Sequence, residues 1–188
     1  MCNAQTRITM KILLFGSIAS GKTTIANLIQ KKHPDFGLIS IDDCRRMFGD
    51  GSMEKEILSQ KKFIEQINKS KSAIIEASGV GKLGDSIFNE ISKINEKVLI
   101  IVSYLPKDII KQRLTDRVWD IPFPGNQEKL DDIVLTINHE IQSGRIQMKW
   151  LEQPQTTILQ IENKDLKSQS FILAAINNYL KSYENDTI

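Results

Sequence analysis

Apolar residues in this chain gather into short dense runs separated by longer stretches of helical periodicity, and the two kinds alternate from end to end. Residues 10–15, 37–41, 72–77, 97–105 and 156–161 are the dense runs. Each has the length and continuity of a strand buried on both faces. The stretches between them repeat apolar residues at helical spacing. Residues 23–32 present Ile25, Ala26, Leu28 and Ile29, and the His33-Pro34 pair stops that helix. Residues 53–68 present Ile57, Phe63, Ile64 and Ile67 behind a Ser52 cap. A helical stretch covers residues 83–95. Pro106 opens a helix with Ile109, Ile110, Leu114 and Val118 facing inward. Residues 127–144 carry Leu130, Ile133, Val134, Ile137 and Ile141, and a last helix runs from Asp165 to about Tyr183. Strands alternating with helices predict an α/β fold whose sheet is parallel.

Between the first strand and the first helix stands Gly16-Ser17-Ile18-Ala19-Ser20-Gly21-Lys22-Thr23. It fits G-x-x-x-x-G-K-[ST], the phosphate-binding P-loop pattern, in the strand–loop–helix setting that the pattern requires. The glycines let the backbone turn tightly, so that several N–H groups point at one set of phosphates. Lys22 is placed for the β- and γ-phosphates and the Thr23 hydroxyl for Mg²⁺, while the helix adds its positive N-terminal end. The fold expected is therefore a three-layer P-loop fold, with a five-stranded parallel sheet, helices on both faces and a mobile lid.

Ligands of such sheets bind beyond the carboxyl ends of the strands. Asp42 and Asp43 follow the second strand. Asp42 suits proton acceptance from an attacking hydroxyl or a Mg²⁺-bound water, and Asp43 suits a helix cap. Arg45 lies one turn after Asp42 and reaches either the same substrate or solvent. Glu76 ends the third strand, where an acid serves as a second Mg²⁺-linked carboxylate. Arg113 and Arg117 stand four apart on one helical face. They are suited to spreading charge on a transferring phosphoryl group, or to ion pairs with Asp116 and Asp120. Residues 119–126, with Pro122, Pro124 and Gly125, form a loop that reads as part of a lid over about 117–128. Trp119 and Phe123 there serve lid packing or ring stacking. Glu162-Asn163-Lys164-Asp165 lacks the spacer of the guanine-reading Asn-Lys-x-Asp pattern, and Asp165 reads as a cap. His33 and His139 have no partner at catalytic or metal spacing.

Composition narrows the reading only a little. The 188 residues, 40% hydrophobic and 26% charged, suit one domain, 1–188, with a substrate-binding insert over about 44–71. A net charge of +2 without a long basic run argues against a dedicated nucleic-acid binder. The cysteines, Cys2 and Cys44, form no disulfide framework, which makes a reducing, cytoplasmic setting the default. No apolar run has the length of a membrane span. Residues 1–9 lack the apolar core of a signal peptide and read as a short extension.

Taken together, the P-loop, the Asp-x-x-Arg segment (Asp42 to Arg45) and the Arg113–Arg117 helix before a lid resemble the P-loop kinases of the adenylate-kinase-like group. Ile41-Asp42-Asp43-Cys44-Arg45 is similar, more narrowly, to bacteriophage polynucleotide kinases and related small AAA-type ATP-binding kinases. The resemblance implies nucleotide binding by Gly16, Ser17, Ile18, Ala19, Ser20, Gly21, Lys22, Thr23 and Thr24. It implies a general-base role for Asp42, substrate contact by Arg45, γ-phosphate or lid roles for Arg113 and Arg117, and an acid role for Glu76. The function expected is an ATP- and Mg²⁺-dependent kinase acting on a small molecule, foremost a nucleoside or nucleotide. A polynucleotide 5′-hydroxyl kinase and an NTP-binding regulatory switch are the alternatives.

Overall fold

In the computed structural model, which describes residues 9–115, 118, 120–124 and 127–185, the first apolar run becomes β1 (Met10–Gly16), buried along its whole length. Leu13 and Phe15 enter one core layer, and Ile12 and Leu14 enter the other. A strand buried on both faces needs helices on both sides, which is why its residues do not alternate between apolar and polar. The order continues α1 (Lys22–Lys32), β2 (Gly37–Ser40), α2 (Ile41–Phe48), α3 (Met53–Lys69), β3 (Ala73–Ala77), α4 (Gly81–Ile91) and β4 (Lys97–Tyr104). It ends α5 (Lys107–Thr115), α6 (Gln127–Gln142), α7 (Arg145–Trp150), β5 (Thr156–Glu162) and α8 (Leu166–Asn185).

The strands lie in the order β2-β3-β1-β4-β5, and every pairing is parallel. Phe63 and Ile67 of α3, Ile87 and Ile91 of α4, Ile141 of α6 and Trp150 of α7 cover one face. Ile25 and Ile29 of α1, with Ile172, Ile176 and Leu180 of α8, cover the other. A third cluster packs Ile110 and Leu114 of α5 with Val134 of α6, against Ile18 and Ala19 of the P-loop. The expected α/β architecture is the one observed. Because β1 is the middle strand, its loop opens at the centre of the carboxyl edge.

Several local expectations change. In α3 the buried Phe63 and Ile67 fix the inner stripe, and counting back by threes and fours reaches Ser59 and Glu56. Ile57 falls outside that stripe and is 62% exposed. Val118 lies beyond the end of α5 and is exposed as well. Asp43 is not a cap. The strand ends one residue early and the Ser40 hydroxyl, at its tip, accepts from the Asp42 N–H at 3.2 Å, so α2 starts at Ile41. Asp43 instead pairs with Arg46 at 2.8 Å. Helix α4 stops at Ile91 rather than 95. After Gly144, at φ +79, the short α7 forms where no element was expected. Arg117, Asp116, Trp119 and part of the 117–128 segment lie outside the described residues, as do residues 1–8. Among the described residues no helix is long and apolar enough to cross a membrane.

Candidate active site

The P-loop is held in shape by its neighbours. Gly16 sits in register with Ser103 of β4. A Cβ at Gly16 would come within 2.5 Å of the Ser103 carbonyl oxygen and of Ser20 Oγ. Gly21 has φ +83, and its Cβ would lie 2.3 Å from Asn163 Nδ2. Ala19 also takes a left-handed conformation, at φ +65. The Ser20 carbonyl accepts from Ser103 Oγ at 2.9 Å and from Asn163 Nδ2 at 2.9 Å, both side chains being buried. In a trans peptide the N–H points opposite to the carbonyl, so the Gly21 N–H faces the open side of the loop. Helix α1 then begins with no acidic residue in its first turn, leaving its positive end available to an anion.

Lys22 Nζ arches over this cradle and donates to the Ser17 carbonyl at 2.7 Å. The Thr23 hydroxyl donates to Glu76 Oε1 at 2.6 Å. Glu76 stands opposite Leu14 on one side and Ser40 on the other. Its side of β3 is the α1 side, which places its carboxylate beside the first turn of α1. Burial pushes the Glu76 carboxyl above its ordinary value, and Lys22 and the Thr23 hydrogen bond oppose that shift only in part. A buried acid next to a hydroxyl at a phosphate cradle fits a cation shared with the phosphates.

One turn of α2 carries Asp42 and Arg45 to the same edge. Arg45 Nη1 donates to Asp42 Oδ1 at 3.0 Å. Its other side grips Glu56 of α3 in a fork, Nε to Oε2 at 2.9 Å and Nη2 to Oε1 at 2.7 Å. Gln60 Nε2 adds a third bond to Glu56, at 2.7 Å. Phe123 stacks on the guanidinium with the ring centre 4.8 Å from Cζ. The Arg45 side chain is 13% exposed, so the solvated alternative does not hold. Burial raises the Glu56 carboxyl, but the Arg45 and Gln60 bonds outweigh it and hold the group below its usual range.

Two cavities meet at this edge. One lies along the P-loop and reaches Thr23, Thr24 and Arg113. The other runs beneath Phe123, between Ile41, Leu83, Ile133 and Ile137. Ile18, Lys22, Asp42 and Glu76 line both. Arg113 forms no surface ion pair with Asp120, which bridges to Arg46 at 3.4 Å. It donates instead to the carbonyls of Ala19, at 3.1 Å, Asn163 and Lys164. Sequence reasoning missed four supporting residues. Glu56 and Gln60 were signalled by the helical stripe through Phe63. Ser103 and Asn163 were signalled by their places at or just past the carboxyl ends of β4 and β5.

A P-loop between a central strand and a helix, in a parallel sheet of this strand order, is the architecture of the P-loop kinases. Among solved structures, the chain is similar to the shikimate kinase from Acinetobacter baumannii in complex with shikimate, at 14% identity and a TM-score of 0.63, covering 95% of this chain and 96% of that one. It is similar also to a sugar kinase from Janibacter sp. HTCC2649, at 16% identity and a TM-score of 0.59 over 90% and 93% of the two chains. A gluconokinase from Sinorhizobium meliloti 1021 matches at 12% identity and a TM-score of 0.55 over 94% and 99%. At such identities the likeness is one of fold. No protein-family model and no curated protein matches the sequence.

Proposed function

We propose that this protein is an ATP- and Mg²⁺-dependent phosphotransferase that phosphorylates a hydroxyl group of a small molecule. The observation that carries this reading is the pair of adjoining cavities with Lys22, Asp42 and Glu76 on their shared wall. One cavity has the phosphate cradle and the other has a carboxylate poised over an enclosed, mostly apolar space. The small-molecule kinases that share the fold support the same assignment.

Mg²⁺-ATP, when bound, supplies the phosphoryl group. The P-loop N–H groups and Lys22 bind and orient its phosphates, and Thr23 with Glu76 provides the protein half of the metal site. Asp42 accepts the proton of the acceptor hydroxyl through the oxygen that Arg45 does not occupy. Arg45 fixes the direction of that carboxylate. Arg113 holds the loop from behind. Phe123 with Ile133 and Ile137 keeps water from the acceptor side. The nucleoside acceptor expected from the resemblance is kept in this reading, with Phe123 at hand for a ring. The resemblance of residues 41–45 to phage polynucleotide kinases supports the roles of Asp42 and Arg45. The chain itself reads as one catalytic domain.

The test is transfer of label from γ-labelled ATP, with Mg²⁺, to pooled sugars, polyols, nucleosides and a 5′-hydroxyl oligonucleotide, with Asp42→Asn alongside. Label reaching a small hydroxyl compound, and lost in the variant, supports the assignment. Tight ATP binding with no transfer to any acceptor, unaltered by Asp42→Asn, would overturn it in favour of a nucleotide switch.

A further inference from the structure

Arg45 is the one arginine on the wall of the acceptor pocket among the described residues, and its charge is already matched inside the protein. From the juxtaposition of Arg45 with buried Glu56 and with Asp42, we propose that the acceptor is an uncharged hydroxyl compound, and that Glu56 is the residue which excludes carboxylate- and phosphate-bearing acceptors. This inference deepens the kinase reading and rests on it.

Three of the five guanidinium N–H groups are taken by carboxylates: two by Glu56 and one by Asp42. The fork with Glu56 is the strongest geometry available to an arginine, and planar pairing of this kind is what an acceptor carboxylate would otherwise claim. Gln60 locks Glu56 in place and Phe123 covers one face of the guanidinium. Counting Arg45, Glu56 and Asp42 together, the corner carries one net negative charge. The other cation on the wall, Lys22, belongs to the nucleotide phosphates. An anionic acceptor would therefore enter an enclosed site beside Asp42 with, among the described residues of its wall, no unmatched positive charge to meet it, and like-charge contact in such a site is strongly selected against. Glu76 adds a second acid to the wall and Ser40 and Ser78 add hydroxyl groups, while Ile18, Ile41, Leu83, Ile133, Ile137 and the Phe123 ring are its apolar part.

The experiment compares matched acceptors on the wild-type protein. Glucose is set against gluconate, nucleosides against their 5′-monophosphates, and a cyclohexanetriol against shikimate. Phosphoryl transfer is followed together with thermal stabilisation of the protein saturated with a non-hydrolysable ATP analogue and Mg²⁺, so that the P-loop is already filled. The neutral member of a pair should be preferred by roughly tenfold or more in both readouts. Glu56→Gln, which keeps the size of the side chain and an acceptor for Gln60, should narrow that preference by raising the response to the anion. Stabilisation of the wild-type protein by the anionic members, equal to or greater than that by the neutral ones, overturns the proposal whatever the variant does. A neutral preference in stabilisation without transfer to any acceptor overturns the kinase reading, and with it the assignment of an acceptor, and leaves only the pocket's selection for neutral ligands.

Discussion

The Thr23 hydroxyl donates to the Glu76 carboxylate at 2.6 Å, joining the first turn of α1 to the carboxyl end of β3. The two groups proposed to share a cation are thus in contact beforehand, and the carboxylate is buried at a cost. Because burial raises the Glu76 carboxyl, the folded state binds its proton more readily than the unfolded chain. Stability attributable to Glu76 therefore falls as pH rises from the ordinary carboxylate range to the raised native value. Glu76→Gln, whose carbonyl still accepts from Thr23, should raise stability near neutral pH, where the buried carboxylate is charged. It should also abolish Mg²⁺-dependent transfer. Urea melts at two pH values and a Mg²⁺ titration of activity check both halves.

Glu56 behaves in the opposite sense. Its carboxyl is held low, so its contribution is complete above the ordinary carboxylate range and is lost as pH falls through the lower native value. Glu56→Ala strands Arg45 in a largely buried place and should cost about 3 kcal/mol at neutral pH. Denaturation midpoints should show the gap between wild type and variant closing in acid.

Much of the phosphate side could be read from residue order alone. A P-loop is contiguous: Gly16 to Thr23 follow one another, and the flanking strand and helix declare themselves by periodicity. Glu76 and Asp42 were legible from position, since each stands at the end of an apolar run. The acceptor side was not, because Arg45, Glu56 and Phe123 meet across α2, α3 and a loop far apart in the chain. Ile57 was expected inside because it is apolar. The helix turned Glu56 inward instead, since Arg45 waits there, and an ion pair is invisible to a hydrophobic count. Arg113 was expected to reach phosphate or a surface acid. What the sequence did not reveal was that three backbone carbonyls, including one of the strained loop, lie within its span.

Asp42→Asn should reduce the transfer rate about 10²–10⁴-fold, the range for loss of a general base. ATP affinity should change little, since Lys22, Thr23 and the loop are untouched. Single-turnover rates beside equilibrium nucleotide binding separate the two effects.

Ala19 has φ +65, a backbone conformation that favours glycine. The left-handed conformation costs a non-glycine residue about 1–2 kcal/mol, somewhat more than the flexibility glycine would add. Ala19→Gly should therefore stabilise the protein slightly, by about 0.5 kcal/mol, without loss of activity. Thermal unfolding together with the ATP KM tests it.

Arg113→Ala frees the Ala19 carbonyl and the chain after β5. If its task is to hold the loop, the ATP KM should rise about tenfold with kcat less affected. A fall in kcat with KM unchanged would point instead to direct contact with the transferring group.

Helix α2 carries Asp42, but the residues that neutralise and cover Arg45 come from α3 and the loop around Phe123. On the proposed reading, reactivity and acceptor choice therefore draw on different elements. Positions 56, 60 and 123, which hold or cover Arg45 and its partner, are then the set that selection, or a designer, would vary to change what is phosphorylated. The central strand, its loop and the acid of β3 stay as they are.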